Sequence, residues 1–338
     1  MKSLSKKLVG WAERSEAQHR TPGRLLFLLW RNSPCAAACW ASLRLAQPTF
    51  GSCSAGSGLV KVLLLASTLL LAACGPEPDT YPAAPFNHQH TLFDQVLTTY
   101  VKDGLVSYKA LKNDQETLNR YLGSLTAVTQ KQYEEWTRHQ KLAFWINAYN
   151  AFTIKVILNN YPVTRSILAD PLRRYPPSSI RQIRGVWKGI KWPVMGTKYT
   201  LDYMEHVIMR QEIIEPRIHF VLVCASLGCP LLESRAFDPE HLEQRLDQAA
   251  INYIYRDQKV EIDRENGAVR LPQIFNWFWE DFKPFEESAE LFKQHPDKIA
   301  GPLSWIYHYA SADDHEFLRS GSYQVSYLDY DWGLNELE

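Results

Sequence analysis

The sequence predicts a single α+β domain with a central buried helix, a small, mostly antiparallel sheet and surrounding helices. Two patterns and one absence lead there. Residues 138–160, "RHQKLAFWINAYNAFTIKVILNN", carry apolar side chains on nearly every face, as a helix enclosed by protein does. Residues 259–272, "KVEIDRENGAVRLP", alternate on both sides of Asn266-Gly267, a strong short-range hairpin signal. No internal repeat or heptad separates the helical from the extended patterns, so residues 89–338 read as one domain.

The remaining elements follow in chain order. Residues 86–101 place Leu92, Phe93, Val96, Leu97 and Tyr100 on one helical stripe. A second helix is expected over about 113–123. Tyr161-Pro162 ends the central helix. Residues 163–193 are rich in Arg and Pro and read as loop. "VWKGIKWPVMGTKYTL" suggests a hairpin turning near Gly196, and Thr200 can cap a helix over "LDYMEHVIMR". Residues 218–224 form an apolar run that predicts an internal strand. A helix over 241–255, the hairpin, an aromatic helix "QIFNWFWEDF", two more helices and an extended close complete the chain.

The front of the chain is organised differently. Lys61 precedes an apolar run from Val62 to Ala73, followed by Cys74. About 12 apolar residues suit a signal-peptide core and are too few to span a bilayer. Leu71-Ala72-Ala73-Cys74 resembles the lipobox of bacterial lipoproteins, in which the cysteine thiol becomes lipidated. The expected order is a spurious extension over 1–58, with translation starting at Val60, then a signal peptide over 59–73. Residues 74–88 would be a flexible tether rich in Pro and small residues. Gly75 carries no inner-membrane retention signal, so the expected location is the outer membrane, facing the periplasm, with the inner membrane as the other option.

The full chain balances 37 basic against 37 acidic residues. Residues 74–338 hold 28 basic and 35 acidic residues, a net of −7. That balance argues against nucleic acid as a partner. The expected partners are the membrane, through Cys74, and an envelope ligand or protein. Beyond Cys74 only Cys224 and Cys229 remain, in a compartment that permits disulfides.

Five stretches together resemble the domain of unknown function 547 family. They are "FWINAYNAFTI" (144–154), "LDYMEHVIMR" (201–210), "RIHFVLVCASLGCPLL" (217–232), "LPQIFNWFWEDF" (271–282) and "YLDYDWGLN" (327–335). The resemblance implies an exported bacterial protein and supplies no reaction. Glu205, His206 and Arg210 stand where the family motif expects them, whereas Leu201-Asp202 replaces its small polar pair. Plant members keep the first cysteine and often carry Ser at the second, which implies that Cys224 has the more essential role.

Three readings of Cys224 stay open. It is a nucleophile, which requires a nearby base or cation to hold the thiolate. It is half of a Cys224–Cys229 disulfide, or it is a small core residue. In the first case His206 is the expected base, with Glu205 and Arg210 as binding or orienting groups. The enzyme would be a cysteine-dependent hydrolase or acyl/amide transferase, papain- or transglutaminase-like by analogy. In the second the protein is a non-catalytic binding or scaffold lipoprotein. His219, five residues from Cys224, should face away if the strand is regular. Asn147 and Asn150 either tie down a neighbouring loop or orient catalytic groups, and Asp329 and Asp331 are turn formers or a third triad member. No cofactor or metal is expected, because no common zinc spacing fits His219, Cys224 and Cys229.

Overall fold

The computed structural model describes residues 81–256 and 259–337. The proposed extension, signal peptide and Cys74 lie outside them. Among the described residues no helix is long and apolar enough to cross a membrane.

The central helix spans Arg138–Asn159. Thr137 opens it with a capping box, accepting from Gln140 N while the Gln140 side chain returns to Thr137 N. Every residue from Leu142 to Leu158 is buried, so its apolar faces are covered all round. Even Lys155 is buried, its ammonium donating to Gln115 and Asn119. Helices Thr91–Tyr100, Tyr108–Asn113 and Glu116–Ala127 lie before it in the chain. Together with the later elements they form one α+β core.

The β structure is divided into three small sheets. β1 (Val101–Lys102) pairs with β2 (Leu105–Val106), and β3 (Trp192–Val194) with β4 (Thr197–Tyr199), both antiparallel. β5 (Glu261–Asp263) and β6 (Ala268–Leu271) form the expected hairpin around Gly267, which has φ 61°. β7 (Gln324–Tyr327) adds to β6 in parallel.

Three expectations change. Residues 218–224 are not a strand. Pro216–Phe220 is a 3-10 helix, with Pro216 in its first turn and the Glu215 side chain capping Arg217 N. Val221 O and Val223 N are paired instead by the side-chain amide of Asn150. The segment therefore satisfies its backbone polar groups without a strand neighbour. The strand-parity argument for His219 loses its basis with it.

The second change is in the helix that Thr200 caps. From Met204 to Ile213 it is a π-helix, a geometry frequent at functional sites. Third, the described part of the expected tether is packed. Tyr81 to His88 rests on the domain: Phe86 stacks on Trp136 at 5.1 Å and meets Phe144 edge-on. Pro82 O approaches so closely that a Cβ on Gly123 would lie 1.8 Å from it.

Candidate functional site

Four of the resembling stretches converge on two adjoining clusters. The first surrounds the cysteines. Cys224 and Cys229 are joined in a disulfide with Cα atoms 6.3 Å apart, within the usual range for such a bond. Cys229 is buried and Cys224 partly exposed. Cys224 Sγ lies 3.1 Å from both Ser226 Oγ and Tyr330 Oη, and Tyr330 Oη lies 3.1 Å from Cys229 Sγ. One phenol therefore touches both sulfurs. Burial foremost raises the Tyr330 pKa, so the group stays a neutral hydroxyl.

The turn that holds the sulfurs is tightly specified. Ala225 takes φ 55°, a left-handed conformation uncommon outside glycine. Ser226 bridges to Leu334, and Gly228 N donates to Asp331 O at 2.8 Å. A Cβ on Gly228 would come within 2.9 Å of that oxygen and of the Tyr330 ring. Glycine is needed there for close approach of the C-terminal segment. Asp331 also caps Gly333 N, and both Asp329 and Asp331 are exposed, consistent with turn-forming roles.

The second cluster is charged. Arg210 forks onto Asp281, at 2.5 Å from Nε and 2.9 Å from an Nη. His219 Nε2 meets the same carboxylate at 2.6 Å, and its ring stacks on Phe278 at 4.1 Å. The other Arg210 nitrogen lies 2.8 Å from His206 Nδ1, and His206 Nε2 lies 3.6 Å from Asp202. Burial alone would raise the Asp281 pKa. The hydrogen bonds from His219 and Arg210 outweigh it and hold the carboxyl at about 2. Burial lowers the His219 pKa, which favours a neutral ring donating Nε2–H to Asp281.

Glu205 links the clusters. It is 8% exposed and lies close enough to Tyr149, His219 and Tyr330 to bear electrostatically on all three. Burial first, then this carboxylate, raises the Tyr149 pKa.

The expected catalytic residues thus divide. Among the described residues no hydrogen bond joins His206 to Cys224; the imidazole's partners are Arg210 and Asp202, and the sulfur's are Ser226 and Tyr330. Asn147 binds Ala143 O, Phe237 O and Phe237 N. Asn150 binds Val221 O and Val223 N. Both amides are spent on the backbone of facing loops. Sequence reasoning missed Asp281, Tyr149 and the role of Tyr330. The signal for Asp281 was an acidic residue inside the aromatic run "NWFWEDF", where a charge needs a partner.

An aromatic surface adjoins the sulfurs. Trp277 is 42% exposed and stacks on Trp332, with ring centres 5.9 Å apart. Tyr330 packs against both. The Arg181 guanidinium lies over Tyr175, Trp187 and Trp332. The described His, Cys, Asp and Glu side chains that bring three ligand atoms together are elsewhere, at Asp238, Glu240 and His241. There Asp238 Oδ1 already accepts from the backbone of Glu240 and His241.

No curated protein and no solved structure matches the chain. The family model described as "Protein of unknown function, DUF547" matches residues 133–254. That span holds the central helix, the π-helix and both cysteines. Over that span, about a third of its length, the chain is similar to the DUF547 family.

Proposed function

We propose that this protein is a lipid-anchored envelope protein whose domain presents a disulfide-locked recognition surface, not an activated cysteine. The observation that carries the reading is the partnering of Cys224. Its sulfur is bonded to Cys229 and faces two neutral hydroxyls, while His206 is engaged by Arg210 and Asp202. A nucleophilic thiol requires a group that stabilises its anion. Neither Ser226 nor the half-buried Tyr330 supplies the base or positive charge that activates a thiol.

The surface beside the disulfide suits a ligand with flat, C–H-rich faces. Trp277 and Trp332 offer stacked rings, and an envelope glycan strand has faces of that kind. Purified full-length protein should bind isolated peptidoglycan sacculi, and Trp277→Ala should weaken the binding while leaving the near-UV circular dichroism of the remaining core in place. Equal binding by both proteins contradicts the surface assignment.

Anchoring rests on the sequence run Val62–Ala73 and on Leu71-Ala72-Ala73-Cys74. It predicts periplasmic exposure and palmitate incorporation that Cys74→Ala abolishes. Labelling that persists in the variant contradicts it.

A second reading has its own support: Cys224 is partly exposed, beside a left-handed Ala225, and its neighbour Tyr330 feels the charge of the buried Glu205. Strained backbone of this sort gathers at reactive sites. In that reading an external dithiol reduces the disulfide, is itself oxidised to a disulfide, and leaves the Cys224 thiol free for hydrolase or acyl/amide transfer chemistry. Iodoacetamide at pH 6 after reduction separates the two. Alkylation of Cys224 no faster than an ordinary thiol supports the recognition surface. Fast alkylation, slowed by His206→Ala, supports the enzyme.

A further inference from the structure

The loop between the central helix and β3 is built inside out. Ile167 and Leu168 are 72% and 78% exposed, and Leu172 is 66% exposed. Two polar side chains of the same loop, Asp170 and Gln182, face inward. Asp170 is 3% exposed and accepts from Arg174 N at 2.8 Å and Tyr175 N at 3.0 Å. Gln182 is 4% exposed; it accepts from Ser166 N at 2.8 Å and donates to Pro176 O at 3.0 Å. The turn is thus held from within by hydrogen bonds, and its aliphatic side chains are displayed to solvent. Chance exposure of one apolar residue is ordinary. Three such residues on one pinned turn are a patch with a purpose.

The charge around the patch has one sign. Residues 163–193 contain seven Arg and Lys and one acidic residue, the buried Asp170. Arg173, Arg174, Arg184, Lys188 and Lys191 are exposed. Residues 74–338 as a whole carry a net charge of −7, so the basic loop is polarised against the rest of the domain. A charged bilayer would turn such a domain loop-first.

We propose that residues 165–174 dock on an anionic lipid surface. Ile167, Leu168 and Leu172 enter the headgroup boundary, while Arg173 and Arg174 bind lipid phosphates through their guanidinium forks. The proposal rests on exposure and charge in this loop and is independent of the state of Cys224.

The test is carbene footprinting of the full chain with vesicles of phosphatidylcholine alone or of phosphatidylcholine with phosphatidylglycerol. Labelling of Ile167, Leu168 and Leu172 should fall on the anionic vesicles and not on the neutral ones. Arg173→Gln with Arg174→Gln should weaken the docked state by roughly 30-fold, given the attraction of each basic side chain near such a surface. Equal labelling on both vesicle types overturns the proposal. So does protection without vesicles that rises with protein concentration, which would assign the patch to a second copy of the chain. The comparison of vesicles uses the parent protein, so it stands even if the variant fails to fold.

Discussion

Two neighbouring clusters, drawn from the same motifs, use opposite chemistry. Around the sulfurs the groups are neutral: a disulfide, a serine and a phenol kept protonated by burial. Around Asp281 they are charged, with one carboxylate shared by Arg210 and His219. The first cluster closes a turn that brings the C-terminal segment beside the cysteines. The second fastens the π-helix and the 3-10 helix to the aromatic run near Phe278. Motif residues that look like one catalytic set therefore fall into two adjoining clusters, with Glu205 between them.

The largest effect should come from breaking the charged cluster. Asp281→Ala leaves Arg210, 8% exposed at its side chain, without its carboxylate. Removing one partner of a buried pair costs about 3–5 kcal/mol, measurable as a drop in the urea midpoint. A change below about 1 kcal/mol, the scale of surface pairs, would mean that the network is solvated.

Asn150→Ala should come next. It strips Val221 O and Val223 N of their partners in a buried segment. Unpaired buried groups cost roughly 1–3 kcal/mol each, and hydrogen exchange at Val223 should accelerate. Unchanged exchange there would show that another group satisfies that N–H.

Acidification sharpens the comparison. The pKa of His219 is lowered by burial, and that of the buried His90 is lowered to about 3, again chiefly by burial. An unfolded histidine takes a proton near pH 6.5. The unfolded state then binds more protons, so the stability present above 6.5 is lost as pH falls through the folded values. Asp281, held at about 2, adds a second loss between roughly pH 4 and 2. Each group contributes a slope of at most about 1.4 kcal/mol per pH unit. Calorimetry from pH 7 to 3 should show stability declining from the first step below 6.5. Stability that stays flat down to pH 4 would mean that both histidines charge freely in the fold.

The smallest effect is a gain. Ile214 ends the π-helix at φ 60° and is 66% exposed. A β-branched residue in that region is strained, so Ile214→Gly should stabilise by about 1 kcal/mol. Destabilisation would show that the exposed side chain has contacts worth more than the strain.

Much of the fold was legible because it depends on local rules. The central helix, the Asn266-Gly267 hairpin and the Thr200 cap follow from periodicity, turn chemistry and capping. The run 218–224 was misread because apolar continuity cannot distinguish a strand from a buried irregular segment. What decided it was Asn150, 71 residues away from Val221, supplying the backbone partners. The same non-local pairing hid Asp281, 71 residues from Arg210. The division of His206 from Cys224 was likewise invisible, because a motif records residue identity and order and not which neighbour each side chain finds in space.

The central claim is that Cys224 belongs to a disulfide. It is tested most directly by peptide mapping of protein isolated from cells, alkylated without reductant and then again after reduction. Residues 217–235 should carry no adduct in the first sample and two in the second, at Cys224 and Cys229. An adduct on Cys224 in the unreduced sample would contradict the account and reopen the readings of that thiol as a nucleophile or a core residue.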